Sequence, residues 1–332
     1  MPTFAVLGSG GWGTAVAICL ARKADTAVRL WSARADSGAH LRETRENARL
    51  LPGVRIPDSV LLTTNIGEAT ADADAWIVAI PTAYLRATAL RFRPVADPRV
   101  PLLSLTKGLE IGTFLRPTEI LRDTLGMERL VVVSGPSHAE EVARGLPTSL
   151  VAACPDPALA GWVQAALGGD RLRLYTNADL IGVELAGALK NVMGIAAGIC
   201  DGLKFGDNAK AALLTRGLVE MTRFGVAHGA APETFAGLAG VGDLITTCFS
   251  PHGRNRRVGE RLAMGDTLAD VTAGPKVAEG VFTARSVHER ATQEGVEVPI
   301  MTAVYRVLYE GLSPREAVQA LLERPQKGEA FE

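Results

Sequence analysis

The sequence predicts an α/β protein, with a doubly wound, mostly parallel sheet over residues 1–177 and an all-helical C-terminal domain over residues 178–332. In the first half, short β-rich runs alternate with amphipathic helical runs. The β-rich runs are almost wholly apolar, as expected for parallel strands covered on both faces. After residue 177 the β-rich runs disappear and longer helical runs follow. A chain of 332 residues has room for two domains.

The individual elements follow from hydrophobic periodicity, with apolar β-rich runs assigned as strands and amphipathic runs as helices. The predicted strands cover residues 3–7, 28–31, 76–80, 102–105, 130–134, 149–153 and 172–175. The predicted helices of the first half include residues 13–22, 83–92 and 118–125. Those of the second half cover residues 179–200, 207–228, 232–238, 254–263, 283–294, 299–310 and 313–323.

Composition and charge exclude several classes of protein. Apolar residues make up 47% of the chain and charged residues 21%, which is typical of a globular protein with a large core. A net charge of −1 favours neither a nucleic-acid partner nor a membrane partner. We find no apolar run of about 18 residues and no basic leader, so we expect no membrane insertion. The four dispersed cysteines indicate no disulfide framework and no metal site, and a cytoplasmic location fits best.

The stretch FAVLGSGGWGTAVAICLAR carries a glycine motif directly after the first predicted strand. Gly8, Gly10 and Gly13 have GxGxxG spacing, and the motif opens a helix. This context suits a dinucleotide, because it combines a tight turn, close backbone approach and a helix N-terminus aimed at the pyrophosphate. The motif therefore predicts a Rossmann-type domain. Gly11 and Trp12 fill the variable positions; we expect Trp12 to pack over the cofactor, although a core position would also explain it.

The residues after the second strand bear on the choice of cofactor. NAD enzymes usually place an acidic side chain here to bind the ribose 2′-hydroxyl group. This chain has Ser32, Ala33 and Arg34 instead, and the first acid is Asp36. Because a guanidinium group suits a 2′-phosphate, we expect a preference for NADP over NAD, or use of both. An exposed Arg34 with no ligand remains the alternative.

One lysine interrupts a small and apolar helical stretch, ELAGALKNVMGIAAG, at residues 184–198. None of the neighbours of Lys190 three and four positions away can balance its charge. The lysine could simply reach from a packed helix to water. Gly187, Gly194 and Gly198 lie on the same helix, each at a cost of about 1 kcal/mol relative to alanine. We therefore expect a substrate or cofactor to approach this helix closely.

Two further stretches follow predicted strands, at the sheet edge where open parallel sheets hold ligands. SLTKGLE places Lys107 after the fourth predicted strand. SGPSHAEEV places Gly135 and Ser137 in the turn after the fifth, with Ala139 opening a helix. We predict that both stretches contribute to a ligand site.

A third stretch, GLAGVGDLITTCFSPHGRNRRVGERL, lies in the helical half and contributes Asp243, Arg254 and Asn255. The cluster of Arg254, Arg256 and Arg257 could be a solvated basic patch. Its position after a glycine-rich loop and at a helix start also suits a small phosphorylated ligand.

Taken together, these segments resemble the bacterial NAD(P)-dependent glycerol-3-phosphate dehydrogenases. The matching segments stand in order from about residue 4 to residue 310. They read GSGGWGTA, TKGLE, SGPSHAEEV, GVELAGALKNVMGIAAGICDGL, NAKAALLTRGLVEM, GLAGVGDLITTC, GRNRRVG and VAEGV.

The resemblance implies a reaction and a set of site residues. The reaction is the NAD(P)H-dependent reduction of dihydroxyacetone phosphate to sn-glycerol 3-phosphate by a homodimer, with Lys190 as acid/base and Asp243 in the catalytic site. The implied substrate-binding residues are Lys107, Gly135, Ser137, Lys190, Asp243, Arg254 and Asn255. The implied cofactor-binding residues are Gly8, Gly10, Gly11, Trp12, Gly13, Arg34, Lys107, Ala139, Arg254, Val277 and Glu279.

An apolar helix suits this role, because desolvation lowers the pKa of a lysine towards the working pH, and Asp243 would limit that fall. The glycines of the helix would then give clearance for nicotinamide and substrate. Two departures from the family pattern are Gly11 and Gly253, where serine is common.

Two other interpretations share parts of this pattern. The 6-phosphogluconate, 3-hydroxyacyl-CoA and ketopantoate enzymes also join a Rossmann domain to a helical one, but SGPSHAEEV and GRNRRVG argue against them. A non-catalytic protein that senses NAD(P)H would leave Lys190, Asp243 and Arg254 unexplained together.

Overall fold

The strands form one eight-stranded sheet and a separate two-stranded hairpin in a computed structural model that describes residues 1–274, 277–326 and 328. The strands are β1 Thr3–Leu7, β2 Ala27–Trp31, β3 Glu46–Asn47, β4 Leu51–Arg55, β5 Val60–Thr63, β6 Ala75–Val78, β7 Leu102–Ser104, β8 Leu130–Ser134, β9 Thr148–Ala153 and β10 Leu172–Asn177. The order in the large sheet is β5-β2-β1-β6-β7-β8-β9-β10, and β3 pairs with β4. Neighbouring strands of the large sheet are parallel except for β8 and β9. The predicted mostly parallel sheet is confirmed.

The helices fall into two groups along the chain. Those among the strands are α1 Gly11–Leu20, α2 Ala35–Thr44, α3 Ile66–Thr70, α4 Thr82–Ala89, α5 Pro117–Leu125, α6 Ala139–Arg144 and α7 Pro157–Leu167, with a 3₁₀ helix at Leu90–Val95. Those after the sheet are α8 Leu180–Gly202, α9 Gly206–Ala227, α10 Pro232–Phe235, α11 Asp243–Phe249, α12 Arg254–Ala263, α13 Leu268–Thr272, α14 Glu279–Glu294, α15 Pro299–Tyr309 and α16 Pro314–Leu322. A π-helical turn at Leu238–Gly242 precedes α11.

The chain divides into two compact units that do not follow the predicted boundary throughout. The first unit, which holds the large sheet, consists of Met1–Thr106 and Pro117–Leu180. The second unit consists of Lys107–Arg116 and Ile181–Glu332. The prediction of a continuous first domain to residue 177 is therefore wrong for the segment Lys107–Arg116.

Side-chain contacts explain why this short segment joins the second unit. Arg116 Nη1 forms a buried ion pair with Glu184 Oε2 of α8 at 2.7 Å. The ring of Phe114 packs edge-on against Phe224 of α9, with 5.7 Å between centroids. Such long-range partners carry no signal in local periodicity, so sequence patterning could not place the segment.

Helix α8 is the core of the second unit, and every residue from Gly182 to Cys200 is buried. It is also the one helix of the described chain that is long and apolar enough to cross a membrane, which the sequence reading did not expect. However, 89% of its most apolar window is buried inside the structure, as for the core helix of a globular unit.

Gly194 and Gly198 of α8 pack against α11 and α12 and do not provide clearance for a ligand. A Cβ added at Gly198 would overlap the backbone oxygen of Arg256, and one at Gly194 would lie 2.8 Å from Thr247 Cγ2. In return, a Cβ at Gly259 of α12 would overlap the backbone oxygen of Ile195. The predicted clearance for nicotinamide and substrate is therefore wrong for Gly194 and Gly198. These glycines allow two helix backbones to approach closely, which brings Asn255 and its neighbours onto α8.

Candidate functional site

The glycine motif forms a tight turn between β1 and α1 in the first unit. Gly8 has φ +124°, and a Cβ there would lie 2.7 Å from the backbone oxygen of Ala79. A Cβ at Gly13 would overlap the backbone oxygen of Gly8, so both positions require glycine. A Cβ at Gly10, in contrast, would meet no described atom within 4 Å. The turn is therefore closed towards the sheet and open at Gly10.

The open side of this turn is suited to an anion. Gly10 is the N-cap of α1 and offers no capping side chain, and the first turn of α1 has no acidic residue. The first N–H groups of the helix are thus directed at the opening, where the helix dipole favours negative charge. In the sheet β1 lies between β2 and β6, so the strand order runs outwards from β1 on both sides, and such a switch point is where open α/β sheets bind nucleotides. The residues present therefore fit the pyrophosphate of a dinucleotide.

The hairpin of β3 and β4 holds the turn in place, a contribution that sequence patterning missed. Asn47 is buried, and its Nδ2 donates to the backbone oxygen of Ser9 at 3.0 Å and to Thr14 Oγ1 at 2.9 Å. The departure at Gly11 also faces this hairpin, because a Cβ there would lie 3.1 Å from the backbone oxygen of Leu50. A polar residue in a short, weakly hydrophobic strand gives no local signal of such a contact.

Arg34 stands at the end of β2 as the N-cap of α2. It is exposed, and its guanidinium binds Asp36 with two hydrogen bonds, Nη2–Oδ2 at 2.6 Å and Nε–Oδ1 at 3.2 Å. The hydrogen bond from Arg34 lowers the pKa of Asp36 to about 2. Arg34 is therefore placed where a ribose substituent would lie, but its charge is already paired with a carboxylate.

The remaining predicted residues of the first unit lie around the turn after β8 and on α1. Gly135 has φ +131°, and Ser137 Oγ donates to its backbone oxygen at 2.9 Å. Ala139 is the first residue of α6, as expected. Trp12 is partly buried and packs against the apolar core of the unit. That contact agrees with the alternative of a core position, and the expected packing of Trp12 over a cofactor stays a prediction.

In the second unit, three predicted residues form a cluster of two ammonium groups around one carboxylate. Lys190 Nζ lies 3.1 Å from Asp243 Oδ1, and Lys107 Nζ lies 2.7 Å from Asp243 Oδ2. Lys190 Nζ also donates to Thr247 Oγ1 at 2.7 Å. The side chains of Lys190 and Asp243 are only 10% and 3% exposed. The first interpretation of Lys190, a lysine that reaches from its helix to water, is therefore wrong.

Burial and charge set the protonation of this cluster. Burial lowers the pKa of Lys190, Asp243 raises it and Lys107 lowers it, with a net result of about 8. Burial alone would raise the pKa of Asp243, but the two lysines outweigh it and hold the pKa below its usual value. With one anionic carboxylate and two cationic amines, the cluster carries a net positive charge. An amine of this pKa can both donate and accept a proton near neutral pH.

Helix α11 carries two side chains that contact Lys190 Nζ, those of Asp243 and Thr247. Asp243 is its first residue and Thr247 stands four positions later, so both side chains project from the same face. The sequence predicted Asp243 as a site residue but did not predict Thr247. The i, i+4 spacing of the two polar residues in DLITTC was the available signal, in a stretch where the helix itself was not predicted.

The predicted residues at the start of α12 have different surroundings. Asn255 is buried: its Nδ2 donates to Asn191 Oδ1 at 2.8 Å, and its Oδ1 accepts from the backbone N–H of Gly280 at 3.0 Å. Arg254 is exposed, and its Nη1 donates to the backbone oxygen of Val277 at 2.9 Å. Glu279, two residues later, opens α14. The structure thus brings Arg254, Asn255 and the Val277–Glu279 stretch together.

The rest of the basic cluster divides by role. Arg256 pairs with Asp201 at 2.6 Å and with Glu260 at 2.8 Å, so it joins α12 to the end of α8. Arg257 is exposed. At Gly253, where a serine was expected from the resemblance, a Cβ would lie 2.8 Å from the backbone oxygen of Thr247, so the loop closes tightly here. Among the described residues no group of three potential metal ligands occurs.

Comparison with known proteins identifies the family. Two family models match the chain, one for the NAD-dependent glycerol-3-phosphate dehydrogenase N-terminus over residues 3–160 and one for the C-terminus over residues 179–319. The chain belongs to this family of oxidoreductases. The resemblance deduced from the motifs is therefore confirmed.

Individual relatives agree over nearly the full length. The chain is 46% identical to a glycerol-3-phosphate dehydrogenase [NAD(P)+] of Salinibacter ruber, over 99% of this chain and 97% of that protein. It is also 46% identical to the enzyme of that name from Streptomyces coelicolor, over 98% and 97% of the two chains. Members of the family therefore use NAD or NADP.

A solved relative confirms the fold. The crystal structure of glycerol-3-phosphate dehydrogenase from Coxiella burnetii superposes with a TM-score of 0.93 at 39% identity, covering 97% of this chain and 99% of that one. A ketopantoate reductase from Ralstonia eutropha reaches a TM-score of 0.61 at 16% identity, which shows a shared fold alone. That enzyme was among the alternatives considered from the sequence.

Proposed function

We propose that this chain catalyses the reversible NAD(P)H-dependent reduction of dihydroxyacetone phosphate to sn-glycerol 3-phosphate. The observation that supports this most directly is Lys190, an amine buried between Asp243 and Thr247 with a pKa of about 8. Reduction of a ketone requires a proton at the oxygen as the hydride reaches the carbon. A buried ammonium group can donate that proton and stabilise the developing alkoxide before the transfer.

Each group of the cluster has a separate role in this proposal. The Lys190 ammonium donates one proton to the alkoxide oxygen and becomes a neutral amine; in the reverse direction the neutral amine accepts the hydroxyl proton. Thr247 Oγ1 and Asp243 Oδ1 fix the direction of Nζ, so the amine does not have to be reoriented during the reaction. The carboxylate of Asp243 raises the pKa of Lys190, so this pKa does not fall as far as burial alone would take it.

The positive charge of the second unit favours a phosphorylated substrate. The two ammonium groups of Lys107 and Lys190 carry one positive charge more than the carboxylate of Asp243 neutralises. Arg254 adds an exposed positive charge at the start of α12. We assign the substrate phosphate and hydroxyl groups to Lys107, Lys190, Asp243, Arg254 and Asn255, with Gly135 and Ser137 as further contacts. Hydrogen bonds to Asn191 and from the Gly280 N–H orient the Asn255 amide, and the second hydrogen on its Nδ2 is the donor that we assign to the substrate.

The cofactor is assigned to the glycine turn and the end of β2. Bound NAD(P)H supplies the hydride. Gly8, Gly10, Gly11 and Gly13 form the cradle for its pyrophosphate, and Arg34 interacts with the ribose. Because no acidic residue occupies positions 32–34, we infer a preference for NADP over NAD. Trp12, Lys107, Ala139, Arg254, Val277 and Glu279 complete the proposed set of cofactor contacts.

The cellular setting follows from this activity. We propose that the enzyme acts in the cytoplasm as a homodimer, and that its product supplies glycerophospholipid synthesis. No nucleic-acid partner and no membrane insertion are part of this proposal, and the burial of α8 within the second unit supports the latter point.

A spectrophotometric assay tests the activity. The absorbance of NADPH should fall when dihydroxyacetone phosphate is added to the purified protein. Ketopantoate, the substrate type of the alternative enzyme class, should give no comparable rate. Nucleotide binding without turnover of any ketone would instead favour the sensor interpretation. Repeating the assay with NADH gives the ratio of the two KM values, and a clear NADH preference would contradict the inference about NADP.

A further inference from the structure

A second arginine stands beside the end of β2. Arg91 lies on the 3₁₀ helix Leu90–Val95, and its Nη1 donates to the backbone oxygen of Ala33 at 3.3 Å. Ala33 directly precedes Arg34. One guanidinium group therefore contacts this short stretch of backbone, and a second one extends from it. Sequence reading gave no signal of this, because residues 33 and 91 are far apart in the chain.

Packing fixes the position of Arg91. Its Cζ lies 5.1 Å from the ring centroid of Trp31, the last residue of β2. Phe92, the next residue of the 3₁₀ helix, is fully buried and meets the same indole edge-on at 4.9 Å between centroids. Trp31 is itself fixed by the hydrogen bond from its Nε1 to the backbone oxygen of Thr64 at 3.1 Å. A stacked guanidinium retains donors in its plane for a further partner.

The two arginines differ in charge compensation. Arg34 is bound by both oxygens of Asp36. Within the part of the chain that the structure describes, Arg91 forms no ion pair with a carboxylate. At the end of β2, where a Rossmann-type domain recognises the 2′ position of the adenosine ribose, Arg91 therefore supplies an uncompensated positive charge.

We propose that Arg91 is a specificity-determining residue of the cofactor site and binds the 2′-phosphate of NADP, alongside Arg34. This assignment rests on the proposed use of NADP by the glycine turn. The planar guanidinium offers five N–H donors in a fork that matches phosphate oxygens, and only one of these donors is used by Ala33. NADH has a neutral hydroxyl group in place of this phosphate, so the charge of Arg91 acts on the discrimination between the two cofactors.

The substitution Arg91→Gln tests this role with NADH as an internal comparison. A hydrogen bond to a charged group contributes about tenfold to a hundredfold in affinity. We therefore expect the ratio of KM for NADPH to KM for NADH to rise by about tenfold to a hundredfold in this variant. Arg93→Gln is the matched control, because it removes the same charge from an exposed position on the same 3₁₀ helix. Its ratio should change by less than about threefold, within ordinary surface effects.

Equilibrium binding separates this inference from the proposed reaction. Adenosine 2′,5′-bisphosphate and adenosine 5′-diphosphate can be titrated against both variants without any turnover, so the test does not depend on dihydroxyacetone phosphate being the substrate. Arg91→Gln should weaken binding of the 2′,5′-bisphosphate by the same factor as it raises the KM ratio. If Arg91→Gln weakens binding of both ligands equally, Arg91 supports the domain structurally. If the ratio of KM for NADPH to KM for NADH is unchanged, Arg91 binds no phosphate. Either result overturns the proposal.

Discussion

The pKa of Lys190 should move in opposite directions when its two charged neighbours are removed separately. Asp243→Asn removes the carboxylate that raises this pKa, and Lys107→Gln removes an ammonium group that lowers it. Asn has the same shape as Asp, and Gln is an uncharged polar side chain one atom shorter than Lys. The first should therefore shift the pKa of Lys190 below about 8, and the second should shift it above about 8.

The distances give the size of the larger shift. At the 3.1 Å that separates Lys190 Nζ from Asp243 Oδ1, two unit charges attract by about 1 kcal/mol at a dielectric constant of about 80 and by about 5 kcal/mol at about 20. Since one pKa unit corresponds to about 1.4 kcal/mol, Asp243→Asn should lower the pKa of Lys190 by about one to four units. Lys107→Gln should raise it by less, because Lys107 contacts the opposite oxygen of Asp243.

The pH profile of kcat/KM in the two reaction directions measures this pKa. Oxidation of glycerol 3-phosphate needs the neutral amine, so its rate rises with pH and levels off above about 8. Reduction of dihydroxyacetone phosphate needs the ammonium group, so its rate falls above the same value. In Asp243→Asn both limbs should move to lower pH, and in Lys107→Gln both should move to higher pH. Circular dichroism of each variant checks that the fold is retained. Limbs that stay in place in both variants, or that move in the same direction in Asp243→Asn as in Lys107→Gln, would refute the assignment of Lys190 as the titrating group.

Four further substitutions test separate parts of the structure. Lys190→Ala should lower kcat by about 10²- to 10⁴-fold while Tm at neutral pH is kept or raised, because it removes a buried charge that burial disfavours; loss of the fold would favour a packing role. Asn47→Ala should raise KM for NADPH and for NADH together, since it frees the glycine turn; an unaltered pair of KM values would contradict this. Gly198→Ala should cost about 1–3 kcal/mol in chemical unfolding, whereas Gly161→Ala, on a helix with open space around it, should cost nothing. Glu220→Ala should also destabilise by about 1–3 kcal/mol, and equal stability would show that its hydrogen bonds do not matter.

Much of the first unit could be predicted because its strands are buried on both faces. The seven predicted strands all occur, and their ends differ from the prediction by at most two residues. Several of the elements that were missed are short or largely exposed. Helix α2 buries only Gly38 and Leu41, and the β3–β4 hairpin is mostly exposed, so neither has a clear hydrophobic period.

The candidate site was predictable where a residue is unusual in its own surroundings. Lys190 was identified because no neighbour on its helix could balance its charge. Gly8, Gly10 and Gly13 were identified because their spacing suits a tight turn that approaches a pyrophosphate closely. Asn47 and Arg91 act through contacts with residues far away in the chain, and local patterns contain no information about such partners. The glycines of α8 show the converse error, since a correct observation of close approach was assigned to a ligand when the neighbour is α12.

The stretch TRGLVEM on α9 contains Glu220, whose role becomes clear only in the structure. Its carboxylate is buried and accepts hydrogen bonds from the backbone N–H groups of Ile300 at 2.8 Å and Met301 at 2.7 Å. These N–H groups lie in the first turn of α15, which has no capping side chain of its own. Glu220 therefore caps a helix that is distant in sequence, and burial raises its pKa to about 7 against those two hydrogen bonds.

The arrangement of the lysines explains why the pH profile of kcat/KM, and not that of kcat, is the one to compare with the structure. A phosphorylated substrate brings negative charge to a cluster that already holds two amines and one carboxylate. Opposite charge favours the ammonium form, so the bound substrate raises the pKa of Lys190 above the value set by burial in the free protein. The profile of kcat reports the complex and includes this rise, whereas the profile of kcat/KM reports the free enzyme. With a pKa of about 8, about one-tenth of Lys190 is neutral at pH 7, compared with about one part in three thousand at the ordinary value of 10.5. Burial thus makes the free enzyme competent for oxidation near neutral pH, and Asp243 keeps enough of the ammonium form for reduction.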